Sequence, residues 1–92
     1  MRKIGVIVNT TDEYRQGEAV RVALGLTLMD DRVELIVLDN VLKRTEAVDK
    51  NIELLGMMKG KAYSNNPENN LETISLEEIS RKLLEYDVVV PY

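Results

Sequence analysis

Residues 4–12 read IGVIVNTTD, and this stretch decides the fold class. Its first five residues are apolar or glycine with no polar alternation, which is typical of a strand buried on both faces of a parallel sheet. The polar residues that follow include Thr11 and Asp12, and both are suitable N-caps for a helix. The stretch therefore predicts a buried strand that leads directly into a helix.

The same alternation of strand and helix continues along the chain. We predict further strands over residues 33–38, 61–64 and 87–91, a short extended segment over 71–74, and helices over 13–29, 46–58 and 76–84. The strands are too far apart in sequence for hairpins, so right-handed crossovers must connect them. The predicted fold is α/β, a single three-layer α/β/α domain over residues 1–92 with a small, mainly parallel sheet and a flavodoxin- or Rossmann-like topology.

Three local predictions are specific. Ser75 and Glu78 form a capping box at the start of the last helix, which should pack through Ile79, Leu83 and Leu84. Gly56 or Gly60 should end the second helix in a left-handed conformation. Residues 65–70, with four asparagines and the first proline of the chain, should form an exposed loop.

Composition removes several classes of function. The chain has no cysteine and no histidine, so it has no thiolate nucleophile, imidazole base, disulfide or Cys/His zinc site. Its 12 basic and 16 acidic residues give a net charge of −4, which is unfavourable for binding nucleic acid or an anionic membrane. No apolar run approaches the roughly 20 residues that span a bilayer. The first residues are typical of a strand and not of a signal peptide, so we expect a cytoplasmic protein.

Polar residues follow three predicted strands, at the ends where parallel sheets bind ligands. The candidate ligand residues are Asn9, Thr10, Thr11, Asp12, Asp39, Asn40, Ser64, Asn65 and Asn66. Asp12 and Asp39 are of the right type to hold Mg²⁺ with a phosphate, although a helix cap and a strand end explain them more simply. The first loop lacks the glycines of a phosphate-binding loop, and the hydroxyl side chains have no histidine base. We therefore predict no catalytic residue, no metal site and no cofactor.

The first helix predicts an interface. Its apolar positions fill more than the single stripe that a helix needs to cover a sheet, and the excess favours a second buried contact through Val20, Leu24 and Leu28. A chain of this size buries only about 60–65% of its unfolded surface, and without disulfides oligomerisation is the usual additional source of stability.

Four stretches of the chain resemble the DsrE/DsrF/DsrH family of small sulfur-relay proteins, which includes the TusB, TusC and TusD subunits. They are the first strand with its polar turn, the Ala/Leu-rich segment over residues 19–26, the strand over 33–38 with the following Asp39-Asn40-Val41, and the helix-strand junction over 83–90 with Asp87. The resemblance covers nearly the whole chain and implies a DsrE-like fold, a cytoplasmic location and assembly as dimers, trimers or hexamers.

The chain departs from this family at the active position. Active members carry a cysteine after the third strand that accepts a persulfide sulfur, whereas this chain has Tyr63-Ser64-Asn65-Asn66 there. Persulfide transfer by this chain alone is therefore excluded. The resemblance instead implies a structural subunit or accessory of a sulfur relay, either as a homo-oligomer or with a cysteine-bearing DsrE-like partner.

A second interpretation is a domain that binds a small molecule, nucleotide or phosphate through the strand-end loops. The apolar first helix favours the oligomerising protein over this alternative, and a Mg²⁺-dependent enzyme ranks third.

Overall fold

A five-stranded sheet with all strands parallel forms the middle layer of the protein. The structure is a computed structural model and describes residues 2–92. The elements in chain order are β1 (Lys3–Val8), α1 (Glu13–Leu28), β2 (Arg32–Val37), α2 (Glu46–Met57), β3 (Lys61–Ser64), a 3₁₀ turn (Pro67–Asn69), β4 (Glu72–Thr73), α3 (Leu76–Leu83) and β5 (Val88–Pro91). The predicted α/β fold with three layers is confirmed.

The strand order is β4-β3-β2-β1-β5. From β1 to β4 each new strand is added on the same side, and β5 then pairs with the other side of β1. Right-handed crossovers place α1 and α2 on one face of the sheet, and the reversal of direction places α3 on the other face. We call these two surfaces the α1/α2 face and the α3 face.

Each face has its own apolar core, because the side chains of each strand alternate between the faces. On the α1/α2 face, Ile4, Val6 and Val8 of β1 pack with Val33, Leu35 and Val37 of β2 against the two helices. The core on the α3 face is smaller and consists of Ile7, Ile36, Tyr63, Ile74, Ile79 and Tyr86. A short helix of eight residues is therefore the main cover of the second face.

The helix starts follow the local sequence closely. The Asp12 carboxylate accepts hydrogen bonds from the backbone N–H groups of Tyr14 and Arg15, and so it is the N-cap of α1. Thr45 caps α2 through the backbone N–H of Val48. The predicted capping box of Ser75 and Glu78 is present at the start of α3. All three caps depend on residues within three positions of one another, which explains why the sequence predicts those at Asp12 and Ser75.

Three local predictions are wrong. The left-handed residue after α2 is Lys59, with φ of 69°, and no glycine has a positive φ among the described residues. Leu83 and Leu84 do not pack in the core, because they are 38% and 88% exposed. The loop over residues 65–70 is not wholly exposed, since Asn69 is completely buried.

Within residues 2–92 no helix is both long enough and apolar enough to cross a membrane.

Two glycine-to-alanine substitutions should have opposite effects on stability. A Cβ atom at Gly5 would overlap the ring of Tyr86, which lies directly over β1. We expect Gly5→Ala to lower the free energy of unfolding by about 1–3 kcal/mol, because the ring must move. Gly25 lies inside α1, and no neighbouring atom lies within 4 Å of the position that a Cβ atom would occupy there. Gly25→Ala should therefore raise the free energy of unfolding by up to about 1 kcal/mol.

Urea denaturation followed by circular dichroism measures both changes. Equal effects of the two substitutions would contradict the close packing of Tyr86 on β1.

Candidate functional site

The loops after β1, β2 and β3 meet at one edge of the sheet, which we call the carboxyl edge. It consists of residues 9–12, 38–45 and 65–71. The strand order reverses between β1 and β5, so this edge contains the switch point at which open parallel sheets usually bind ligands. The Asn40 side-chain amide donates to Asn9 Oδ1 at 3.3 Å and joins the first two loops.

Asp39 and Asn65 join the second and third loops through two hydrogen bonds. Asn65 Oδ1 accepts from the backbone N–H of Asp39 at 2.7 Å, and Asn65 Nδ2 donates to Asp39 Oδ1 at 2.8 Å. Asn66 Nδ2 donates to the carbonyl of Asp39 at 3.1 Å. Asp39 has a φ of 64°, a conformation that aspartate tolerates better than most residues. These bonds occupy much of the hydrogen-bonding capacity of the predicted ligand residues.

Ser64 is buried at the end of β3 and holds the loop that follows it. Its hydroxyl donates to the carbonyl of Val37 at 2.8 Å and accepts from the backbone N–H of Asn66 at 3.0 Å. It also accepts from Asn69 Nδ2 at 2.9 Å. Because its proton is bound to a backbone carbonyl and no base lies beside it, the Ser64 hydroxyl is a structural group and not a nucleophile.

Asn69 fastens the third loop to the second. Its Oδ1 accepts from the backbone N–H of Leu42 at 2.7 Å, and its Nδ2 donates to the carbonyl of Asn40 at 3.0 Å as well as to Ser64. The backbone carbonyl of Asn69 accepts from the guanidinium of Arg44. Sequence reasoning missed Asn69, because nothing local distinguishes it from the other asparagines of residues 65–70.

Gln16 makes an equivalent connection from α1. Its Nε2 donates to the carbonyls of Thr10 at 2.9 Å and Val41 at 3.1 Å, while its Oε1 accepts from the backbone N–H of Lys43 at 2.9 Å. Gln16 was also missed, although a signal exists. It precedes the buried Ala19 by three residues, so helical spacing places it on the inner side of α1.

The remaining candidates act as caps or lie at the surface. Thr10 Oγ1 accepts from the backbone N–H of Asp12, whose carboxylate caps α1, and Thr11 is exposed. The contacts of Asp12 are therefore those of a helix cap, which is the simpler of its two explanations. Within residues 2–92 no group of three or more acidic side chains is arranged to hold a metal ion.

Of three cavities of about 400, 260 and 170 Å³, the one of about 260 Å³ reaches the carboxyl edge at Thr45, and the other two lie elsewhere. None of the nine predicted ligand residues lines any of these three cavities. The carboxyl edge is thus a set of mutually bonded loops, and ligand binding by its residues remains a prediction.

A second polar cluster, which sequence reasoning did not find, lies on the α3 face. Glu34 of β2 is buried, and its Oε1 accepts from the Tyr86 hydroxyl at 2.6 Å and from Lys82 Nζ at 3.4 Å. Lys82 Nζ also lies 4.4 Å from the centre of the Tyr63 ring. A charged residue in the middle of an apolar strand is the signal that could have pointed to this cluster, because buried carboxylates require partners.

The surroundings of this cluster favour its protonated phenols and ammonium. Burial raises the pKa of Tyr86, and the hydrogen bond to the Glu34 carboxylate raises it further. Burial and the nearby charge of Glu34 also raise the pKa of Tyr63. Burial alone would lower the pKa of Lys82, but the attraction of Glu34 and Tyr63 outweighs it, so this pKa is raised as well.

The three predicted interface residues differ in accessibility. Val20 is fully buried in the core of the chain itself, and Leu24 is half-buried against that core. Leu28, at the end of α1, is 62% exposed. Of the three, Leu28 is the one whose side chain is mostly open to a partner, and the interface itself remains a prediction.

No family model, curated protein or solved structure matches this chain.

Asn69→Ala should destabilise the protein by about 1–3 kcal/mol, because it removes a buried acceptor and leaves the N–H of Leu42 without its partner. Glu68→Ala is the matched control, since Glu68 is an exposed neighbour in the same 3₁₀ turn. We expect the control to stay within about 0.5 kcal/mol of the wild type in urea denaturation. Similar values for the two variants would contradict the bridging role of Asn69.

Stability should decline at alkaline pH. The pKa values of Tyr63, Tyr86 and Lys82 are raised in the folded state, so their contribution is complete below the unfolded values near pH 10 and is lost as the pH rises above them. Tyr86→Phe should cost about 1–3 kcal/mol at neutral pH and make the alkaline decline shallower.

Urea denaturation at a series of pH values from about 7 to 11 tests this prediction. Tyr14→Phe is the control, because Tyr14 is 75% exposed. The prediction fails if Tyr86→Phe and Tyr14→Phe have the same stability and the same pH profile.

Proposed function

We propose that this chain is a non-catalytic, DsrE-like oligomerising protein that serves as a structural subunit or accessory of an intracellular sulfur relay. The observation that carries the proposal is an exposed apolar surface formed by α3 and β5. The absence of a reactive side chain after β3 is consistent with it.

The loop after β3 is where active members of the resembled family carry their cysteine. In this chain the Ser64 hydroxyl is buried and bonded to Val37, Asn66 and Asn69, and Asn65 is paired with Asp39. These side chains cross-link loops and offer no group that accepts sulfur. A role in a relay would therefore be structural, and a partner would supply the sulfur-carrying thiol.

The apolar surface, which we call the α3–β5 patch, comprises Leu76, Leu83, Leu84 and Val89, with exposures between 38% and 88%. Viewed along α3, Lys82 and Leu83 lie on opposite sides of the buried Ile79. Lys82 points toward Glu34 on β2, so Leu83 points toward β1 and β5. Val89 faces the same side of the sheet, because its neighbours Val88 and Val90 pack on the α1/α2 core.

The edge strand β5 supports association through this patch. Its residues 88–90 are all valine, and they are half-buried or exposed. One side of β5 pairs with β1, whereas no strand pairs with the other side among the described residues. An apolar edge with unpaired backbone groups favours addition of another strand. A second copy of the chain would cover both the patch and the edge around a two-fold axis.

The ends of α1 and α2 provide a second apolar surface. Leu28 and Met57 are the last residues of α1 and α2, and Met29 and Met58 follow them. All four side chains are exposed. Met58 lines the cavity of about 400 Å³, and so do Thr27 and Asp30 on either side of Leu28 and Met29. An assembly larger than a dimer needs two contact surfaces on each chain, and this surface contains the predicted interface residue Leu28.

The alternative function, ligand binding at the carboxyl edge, rests on the convergence of the three strand-end loops. A ligand there would have to replace the hydrogen bonds between Asp39, Asn65 and Asn66. The oligomerising function requires no such rearrangement, and we favour it for this reason.

Light scattering after size-exclusion chromatography tests the proposal. The wild type should have the mass of a dimer or a larger oligomer, and Leu84→Glu should reduce that mass. Leu84 is almost fully exposed in the monomer, so the variant should keep its folding stability within about 0.5 kcal/mol. Lys50→Gln is the control, because it changes the net charge by the same one unit on α2, away from the α3–β5 patch.

Leu28→Glu distinguishes the second surface in the same experiment. A dimeric wild type in which Leu28→Glu has no effect would confine association to the α3–β5 patch. A monomeric wild type would refute the homo-oligomer. Affinity purification from the native host then tests the relay, because the proposal requires recovery of a cysteine-bearing sulfur carrier with the wild type.

A further inference from the structure

Four cations surround one small cavity at the end of the sheet opposite the carboxyl edge. The cavity has a volume of about 170 Å³ and lies where β1, β2 and β3 begin. Its lining residues are Lys3, Arg32, Val33, Glu34, Lys59 and Lys61. We call the four basic residues the cation cluster.

The strand register fixes the cluster. Lys3 and Arg32 lie directly opposite each other on β1 and β2, and Lys61 lies opposite Glu34 on β2 and β3. Arg32 and Glu34 are two residues apart on one strand, so their side chains lie on the same face of the sheet. Lys3 and Lys61, which lie opposite them, belong to that face as well. Lys59 is added by the left-handed turn that ends α2.

The carboxylates near the cluster are engaged with other groups. Both hydrogen bonds of Glu34 Oε1 go to Tyr86 and Lys82, so Lys82 compensates the charge of Glu34. Asp31 is paired with Arg2. The Asp87 carboxylate accepts from the backbone N–H of Lys3 at 2.7 Å.

Asp30 also lies close by, because it lines the neighbouring cavity together with Asp31, Arg32 and Lys59. The ion pairs within residues 2–92 join Arg2 to Asp31, Arg44 to Asp49 and Lys82 to Glu34. In that part of the chain no carboxylate lies within 4 Å of a charged nitrogen of the cluster.

Repulsion within such a cluster opposes folding, and a bound anion would relieve it. Like charges directly opposite on neighbouring strands are destabilising, and the chain as a whole has a net charge of −4. An acidic protein therefore concentrates unpaired positive charge around one concave site. The volume corresponds to about five or six water molecules at roughly 30 Å³ each, which suits one small anion with some of its water.

We propose that the cation cluster binds a tetrahedral oxyanion, namely orthophosphate, sulfate or the phosphate group of a monoester. The planar guanidinium of Arg32 matches two oxygens of such a group, and the lysine ammonium groups act as point charges around it. This site shares no residue with the α3–β5 patch, although Arg32 and Lys59 border the second apolar surface through the cavity that they line with Met58. Its test does not depend on the mass of the assembly.

The first experiment measures the melting temperature of the wild type in orthophosphate and in sodium chloride at the same ionic strength. Orthophosphate at about ten times its dissociation constant should raise the melting temperature by on the order of 5–10 °C beyond chloride. Sulfate and glycerol phosphate are run in parallel. A larger effect of glycerol phosphate would assign the site to a monoester, and equal effects would assign it to the free oxyanion.

Arg32→Gln and Lys61→Gln should each weaken orthophosphate binding at least fivefold in isothermal titration calorimetry. Lys50→Gln is the control, because it removes one exposed positive charge on α2, away from the cavity. In buffer without oxyanions at low ionic strength, Arg32→Gln should raise the melting temperature because repulsion from Lys3 disappears. Lys50→Gln should not raise it.

Two results would overturn the proposal. One is a melting temperature that rises no more in orthophosphate, sulfate and glycerol phosphate than in chloride. The other is an equal loss of orthophosphate affinity in Lys50→Gln and Arg32→Gln, which would show diffuse attraction to surface charge only.

Discussion

β1 and β2 bury apolar side chains on both faces of the sheet, and the rest of the structure follows from the need to cover both faces. Ile4, Val6 and Val8 are buried on one side, while Ile7 and Ile36 are buried on the other. A parallel sheet of this kind is stable only with helices on both faces. One face is covered by α1, with 16 residues, and α2, with 12 residues. The other face is covered by α3, which has only eight residues.

The short α3 explains the unusual features of the second face. An eight-residue helix cannot cover five strands, so large side chains from the strands and turns complete the cover. Tyr86 lies over Gly5, and its hydroxyl reaches the buried Glu34. Lys82 neutralises that carboxylate from α3. Toward β5 this cover ends and Val89 is left open, whereas toward the start of the strands no carboxylate of residues 2–92 lies within 4 Å of a charged nitrogen of the cation cluster. The proposed protein interface and the proposed anion site are thus two consequences of one incomplete layer.

The sequence predicts those parts of the fold that depend on near neighbours along the chain. The strand at residues 4–8, the caps at Asp12 and Ser75, and the alternation that implies a parallel sheet all have local causes. The bridges made by Gln16 and Asn69 have causes that are distant in sequence. Gln16 contacts Val41 and Lys43, and Asn69 contacts Leu42, so neither role exists until the loops have met.

The wrong predictions also concern features that depend on residues distant in sequence. The sequence predicts that a glycine takes the left-handed conformation after α2, whereas Lys59 takes it. The sequence does not show which residue the surrounding structure holds in that conformation. Leu83 and Leu84 are apolar like core residues but lie outside the core, and Leu84 is turned about 140° around α3 from the buried Ile79. Apolar character identifies side chains that gain from burial, and only the tertiary arrangement decides whether the monomer provides it.

The two ends of the sheet differ in the state of their polar groups, and this difference bears on where a ligand would bind. Parallel α/β sheets usually bind ligands at the carboxyl ends of their strands. Here the side chains at that end satisfy one another. Opening the Asp39–Asn65 pair alone would break two hydrogen bonds, at a net cost of about 0.5–1.5 kcal/mol each. At the opposite end an anion would break no described ion pair of the cation cluster and would relieve the repulsion between Lys3 and Arg32. A small anion therefore gains more at the amino ends of β1, β2 and β3 than at the position where the topology alone would place it.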